Sequence, residues 1–186
     1  MTWNDFGETH YIGPIHDDSI PEGAQTYVDN MQHDSWRTLL PLYIDMYKSG
    51  NNLPDLGSSQ AEKITYWYRK NPSDSGSANG TTGNNPAQGQ TILPPGEVSQ
   101  DKVFISVLIK ESSQINIQIG ENQAEPLLTG STGLNHFSVP FDGRTGNVTI
   151  TIIRDGCTIL QTNGPAITDD CENGNVNWNA LTGEAS

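Results

Sequence analysis

Ile115-Asn-Ile-Gln-Ile119, Phe137-Ser-Val-Pro-Phe141 and Val148-Thr-Ile-Thr-Ile152 alternate apolar and polar side chains. A period of two places every apolar residue of such a segment on one face of an extended strand, with the polar ones on the other. Asp155-Gly156 follows the third segment and precedes Cys157–Leu160, a pairing that predicts a two-residue hairpin turn. Val103-Phe-Ile-Ser-Val-Leu-Ile109 is nearly continuous in apolar residues, which predicts a strand covered on both faces. Further upstream, Ile64, Tyr66 and Tyr68 alternate with Thr65, Trp67 and Arg69. These short strands, separated by turn residues, predict an antiparallel β-sandwich over residues 63–186. The Asn/Gly/Ser/Pro-rich run 70–101 within it is expected to be a long flexible loop.

Residues 1–62 have a different pattern. Trp36, Leu39, Leu40, Tyr43, Met46 and Tyr47 share one helical stripe. Asp34 or Ser35 can cap its start and Gly50 its end. Pro41 has no N–H to donate, so the regular helix is expected to begin near Leu40. The stripe is wide for so short a helix, and residues 1–34 offer little apolar surface to cover it. The fold class expected is therefore mixed α+β but mostly β.

Composition narrows the partners. Nine basic against 22 acidic side chains leave a formal charge of −13, which disfavours nucleic acid and other polyanions. No apolar run approaches the ~20 residues of a membrane span. A neutral polyhydroxylated ligand fits this balance. Cys157 and Cys171 suffice for one disulfide but not for a cysteine-only zinc site. Asn79-Gly-Thr and Asn147-Val-Thr are glycosylation sequons, whereas Pro72 blocks Asn71. The first residues have neither the basic nor the apolar region of a signal peptide.

The chemistry concentrates in Trp3-Asn-Asp-Phe-Gly-Glu-Thr-His10-Tyr-Ile-Gly-Pro14. Asp5 and Glu8 lie three residues apart around Gly7, so one turn can aim both carboxylates into one cleft. Two carboxylates at a glycosidic bond are what its hydrolysis requires, one as proton donor and one to activate water or attack the sugar. Trp3 and Tyr11 are suited to stack on a sugar face, and Asn4 and His10 to hydrogen-bond its hydroxyls. Spacing alone does not separate this reading from a solvated acidic loop, because Asp169 and Glu172 share it. His10, His16, His33 and His136 show no paired ligand spacing, so no metal is expected. No Gly-x-Ser-x-Gly nucleophile pattern occurs, and the Gly-rich run 76–89 has no phosphate-loop lysine. No cofactor is implied.

The opening string Thr2–Ile15 resembles the signature of fungal α-1,3-glucanases, or mutanases, of glycoside hydrolase family 71. The likeness continues through His33-Asp-Ser-Trp36, Leu39–Gly50 and Lys63-Ile-Thr-Tyr-Trp-Tyr-Arg69, and returns weakly at Val176-Asn-Trp-Asn179. The resemblance implies endo-hydrolysis of α-1,3-glucan with inversion, by an enzyme placed outside the cell or in the cell wall. It implies a TIM-type barrel followed by a β-sandwich, with the catalytic groups where barrel strands end. Residues 1–62 would then be the C-terminal remnant of the barrel and 63–186 the accessory sandwich. The family's acidic pair falls on Asp5 and Glu8, with Glu8 as general acid and Asp5 as base or electrostatic partner. An inverting pair is expected at about 6.5–9.5 Å, with a water between. The family normally places most of the barrel ahead of this motif, so the chain reads as a C-terminal fragment, inactive on its own. A secreted family also implies a Cys157–Cys171 disulfide. The alternative is a non-catalytic carbohydrate-binding or structural sandwich, with aromatics such as Trp67 or Trp178 stacking on sugar; otherwise both pack in a core or interface.

Overall fold

The computed structural model describes residues 1–50, 61–77, 95–121 and 128–186. Among these described residues, eight strands form two four-stranded antiparallel sheets. The strands are β1 (Lys63–Arg69), β2 (Lys102–Ile109), β3 (Ser113–Ile119), β4 (Leu128–Gly130), β5 (Gly133–Pro140), β6 (Gly146–Arg154), β7 (Cys157–Ile167) and β8 (Ala180–Ala185). Sheet order is β5-β2-β1-β8 in one and β4-β3-β6-β7 in the other. The expected strands are present, and β7 runs well past Leu160. At the β6–β7 turn, Asp155 and Gly156 adopt φ of 50° and 77°, the left-handed pair that a tight hairpin turn needs.

The alternating residues do what their period predicts. Ile115, Ile117 and Ile119 of β3 meet Val148, Ile150 and Ile152 of β6 across a regular register, all fully buried. They face Ile64, Tyr66 and Tyr68 of β1 and Val103, Ile105, Val107 and Ile109 of β2 in one core. Two tyrosines tie the sheets together. Tyr66 Oη donates to the Asn163 carbonyl at 3.2 Å and Tyr68 Oη to the Pro165 carbonyl at 2.5 Å. Glycine is required opposite each hydroxyl, since a Cβ at Gly183 would come within 2.1 Å of Tyr66 Oη and one at Gly164 within 2.3 Å of Tyr68 Oη.

The N-terminal residues cover the outer face of the first sheet. A 3₁₀ turn over Asp34–Leu39 leads into the helix Leu40–Lys48, with Pro41 in its first turn, as the missing N–H dictates. Two short helices, α1 (Gln25–Val28) and α3 (Pro95–Val98), flank it in sequence, so the Leu40–Lys48 helix is α2. The apolar stripe divides. Leu39 and Leu42 are buried against Leu108, with Met46 and Leu134 alongside. Trp36 packs 6.3 Å from Trp67, which stacks on Phe104. Leu40, Tyr43 and Tyr47 stay exposed. The outer sheet face thus supplies part of the partner surface that residues 1–34 do not.

Residues 78–94 of the expected loop, including the Asn79 sequon, lie outside the described residues. The loop's two ends are anchored: Asp101 pairs with Arg69 and accepts from the Ser73 amide and hydroxyl. The Asn147 sequon sits exposed on β6. The expected disulfide is not formed; Cys157 and Cys171 are free. The reason is β7 itself. Ten residue steps at about 3.3 Å put Ile167 roughly 30 Å from Cys157, and the four residues from Ile167 to Cys171 cannot span the return. Cys171 Sγ instead lies 3.2 Å from Ser75 Oγ.

Candidate active site

The Asp5–Glu8 turn is closed at its base by a bridge between Thr2 and Tyr11. The Thr2 amide donates to the His10 carbonyl at 2.9 Å and the Ile12 amide to the Thr2 carbonyl at 3.0 Å. Within the turn, the amides of Thr9 and His10 donate to the carbonyls of Phe6 and Asp5. Thr9 takes a left-handed φ of 57°. Phe6 anchors the turn from below, buried and 5.0 Å from the Tyr11 ring. A small buried cluster of Phe6, Tyr11, Ile20, Ala24 and Val28 thus supports the acidic loop.

This arrangement brings three of the expected residues together. The Glu8 amide donates to Asp5 Oδ1 at 3.3 Å, and Glu8 Oε2 lies 3.4 Å from His10 Nδ1. One oxygen of each carboxylate and one His10 nitrogen fall within 4.8 Å of one another. The carboxylates are therefore closer than the roughly 6.5–9.5 Å of an inverting pair. The same three donors converge closely enough to ligate a divalent cation, a grouping that the sequence spacing of the histidines did not suggest. The site is open: the side chains of Glu8 and His10 are 72% and 54% exposed. Trp3 is half exposed with Arg37 5.0 Å from its ring centroid, and Asn4 is exposed beside it.

Tyr11 departs from its expected role. It is wholly buried, its hydroxyl donates to the Met31 carbonyl at 2.5 Å, and its ring stacks 4.0 Å from His33. A ring so enclosed cannot face a sugar. Burial pushes its pKa up to about 12, against the lowering effect of a hydrogen bond from Asn179, so it remains protonated. Trp67 and Trp178 are also packed rather than presented. Trp178 is 9% exposed beneath the Arg69 guanidinium at 4.4 Å.

Sequence reasoning missed the supports of the loop. His33 is buried between the Tyr11 carbonyl at 2.9 Å from Nδ1 and the Ala180 carbonyl at 2.8 Å from Nε2. Burial lowers its pKa, outweighing those two carbonyls, Asn179 and Asp34. Tyr27 of α1 donates from Oη to the Gly7 carbonyl at 2.9 Å. Asn179 donates from Nδ2 to Tyr11 Oη at 3.0 Å and to the Tyr27 carbonyl at 2.9 Å. The signals available were the strings His33–Trp36 and Val176–Asn179, which carry no recognisable chemistry of their own.

The model of glycosyl hydrolase family 71 matches residues 1–186. The chain belongs to glycosyl hydrolase family 71. Among family 71 relatives, the glucan endo-1,3-alpha-glucosidase agn1 of Schizosaccharomyces pombe is 33% identical over 183 residues, covering 98% of this chain and 39% of that protein. Mutanase Pc12g07500 of Penicillium rubens is 30% identical over 187 residues, covering 95% and 37%. The ascus wall endo-1,3-alpha-glucanase of S. pombe is 27% identical over 139 residues, covering 73% and 29%. This family 71 chain therefore spans well under half the length of these relatives. No solved structure matches it. No described helix is long and apolar enough to cross a membrane.

Proposed function

We propose that this chain is the C-terminal part of an endo-acting α-1,3-glucanase of the cell wall or extracellular space, in which Asp5 and Glu8 are the acidic pair. The observation that carries the proposal is their convergence on one hydrogen-bonded turn in a chain whose relatives include proteins named as a glucan endo-1,3-alpha-glucosidase and a mutanase. Asp5 accepts the Glu8 amide, which orients it for the base role. Glu8 is highly exposed, with His10 Nδ1 3.4 Å from its carboxylate, and so serves as the general acid. Inversion needs room for a water between them. Glu8 gains that room by swinging from His10 onto the glycosidic oxygen of a bound chain. Trp3, Asn4 and His10 would then contact the sugar.

Residues 1–62 are then the last part of a TIM-type barrel and residues 63–186 its accessory sandwich. The exposure of Trp3, Leu40, Tyr43, Ile44 and Tyr47 supports a further surface covering that face. Catalytic carboxylates need an enclosing shell that holds them within about half an ångström, and the open setting of Glu8 lacks one. The chain alone is accordingly inactive. A chimera in which it replaces the matched 39% of the S. pombe agn1 protein tests the reading. Such a chimera should cut insoluble α-1,3-glucan internally and release the inverted anomer, seen by proton NMR of fresh product. Retained configuration would remove the inverting mechanism.

A further inference from the structure

The structure links the acidic turn to a part of the chain distant in sequence. Gly7 lies between Asp5 and Glu8, and its carbonyl accepts from Tyr27 Oη. The residue that closes the base of the same turn, Tyr11, donates its hydroxyl to Met31. Both tyrosines are held by one side chain from the far end of the sandwich. Asn179 Nδ2 donates to Tyr11 Oη and to the Tyr27 carbonyl, 168 and 152 residues away in sequence. Asn177 Nδ2 adds a longer contact to the Tyr27 carbonyl at 3.4 Å, and its Oδ1 accepts the Asn179 amide at 2.9 Å.

Asn179 is itself fixed on both sides. It is 5% exposed, it follows Trp178, which is clamped under Arg69, and it precedes Ala180, whose carbonyl faces His33. A buried carboxamide whose N–H groups are both spent on two tyrosine anchors of one loop is a costly arrangement to leave half satisfied. Its geometric effect is specific. Tip and base of the acidic turn are both tied, through Tyr27 and Tyr11, to the same Asn179 side chain.

We propose that Asn179 and Tyr27 are positioning residues for the acidic pair, and that the C-terminal segment Val176–Ala180 is a strap which sets the geometry of the Asp5–Glu8 turn. The sandwich is then part of the active-site scaffold. This rests on the assignment of Asp5 and Glu8 as the acidic pair.

Tyr27→Phe is the cleaner test, because it deletes one hydroxyl at an exposed bond and leaves the fold. Asn179→Ala cuts both links at once. In the 1–186 chain, amide hydrogen exchange of Thr9 and His10, whose N–H groups close the turn, should rise about five- to tenfold in Tyr27→Phe, as expected for loss of one hydrogen bond. Exchange in β1 and β2 should stay as in the wild type. In the chimera described above, kcat should fall tenfold or more with KM unchanged, since a misplacement near 1 Å costs about 10²-fold. Wild-type exchange at Thr9 and His10 in Tyr27→Phe overturns the proposal, and so does faster exchange with unchanged kcat. A wild-type chimera without glucanase activity is a failure of the functional reading instead, and the exchange rates still decide whether the strap holds the turn.

Discussion

Arg69 is the largest of the fully buried side chains, and its environment allows a prediction of sign and order. Its guanidinium pairs with Asp101, donates from Nη1 to the Asn71 carbonyl at 3.1 Å, and lies over the Trp178 ring. Burial lowers the Arg69 pKa while Asp101 opposes that shift. Asp101 is 32% exposed against 2% for Arg69, so the two ends of the pair are not equivalent. Arg69→Met keeps the packed stem and leaves a carboxylate that water and the Ser73 donors still satisfy. Asp101→Ala strands a cation away from water and also releases Ser73. Breaking a buried pair typically costs about 3–5 kcal/mol. We expect Asp101→Ala within that range, and Arg69→Met lower at about 2–3 kcal/mol once solvent access to Asp101 is counted. At about 2–4 °C per kcal/mol for a chain of this size, the melting temperature should drop roughly 10 °C for the former and somewhat less for the latter. Guanidinium unfolding followed by circular dichroism reads both, together with the double variant. The double should be less destabilised than the sum of the singles by about 1 kcal/mol or more. An Arg69→Met more costly than Asp101→Ala, or strict additivity, would refute this account of the pair.

Two further outcomes follow from the same structure. Burial holds the folded pKa of His33 below its usual 6.5, so protonation favours the unfolded chain. The stability it contributes is complete above about pH 6.5 and is lost as pH falls through the folded value; an imidazole NMR midpoint above 6.5 would contradict this. Free Cys157 and Cys171 should both react with a thiol reagent in unfolded, unreduced protein, Cys157 also in the native state because it is exposed, whereas an unreactive chain would mean that the disulfide forms after all.

The sandwich was readable because its strands state their period openly. Ile115–Ile119 and Val148–Ile152 alternate without exception, and Asp155-Gly156 specifies its turn by needing two left-handed residues. The two strands not anticipated were those without that signal. β8 reads Ala-Leu-Thr-Gly-Glu-Ala, with a glycine that exists to clear the Tyr66 hydroxyl, and β4 is three residues long. In the site, the acidic turn was legible because Asp5, Gly7 and Glu8 are adjacent in sequence. Tyr11 was misread because an aromatic beside carboxylates looks the same in sequence whether it faces ligand or core. The strap was invisible for a different reason. Asn179 meets Tyr11 only through long-range folding, and no local pattern encodes a contact across most of the chain. The disulfide expectation failed because an even cysteine count says nothing of the eleven-residue strand that separates the two.

The central claim is that Asp5 and Glu8 act as the acidic pair on α-1,3-glucan. Its most direct test is reducing-end release from insoluble α-1,3-glucan by the chimera carrying residues 1–186, with and without Glu8→Gln. The account predicts a loss of about 10²–10⁴-fold in rate, the usual contribution of a general acid–base group, with sedimentation on glucan unchanged. A Glu8→Gln chimera that hydrolyses at near the parental rate would contradict it.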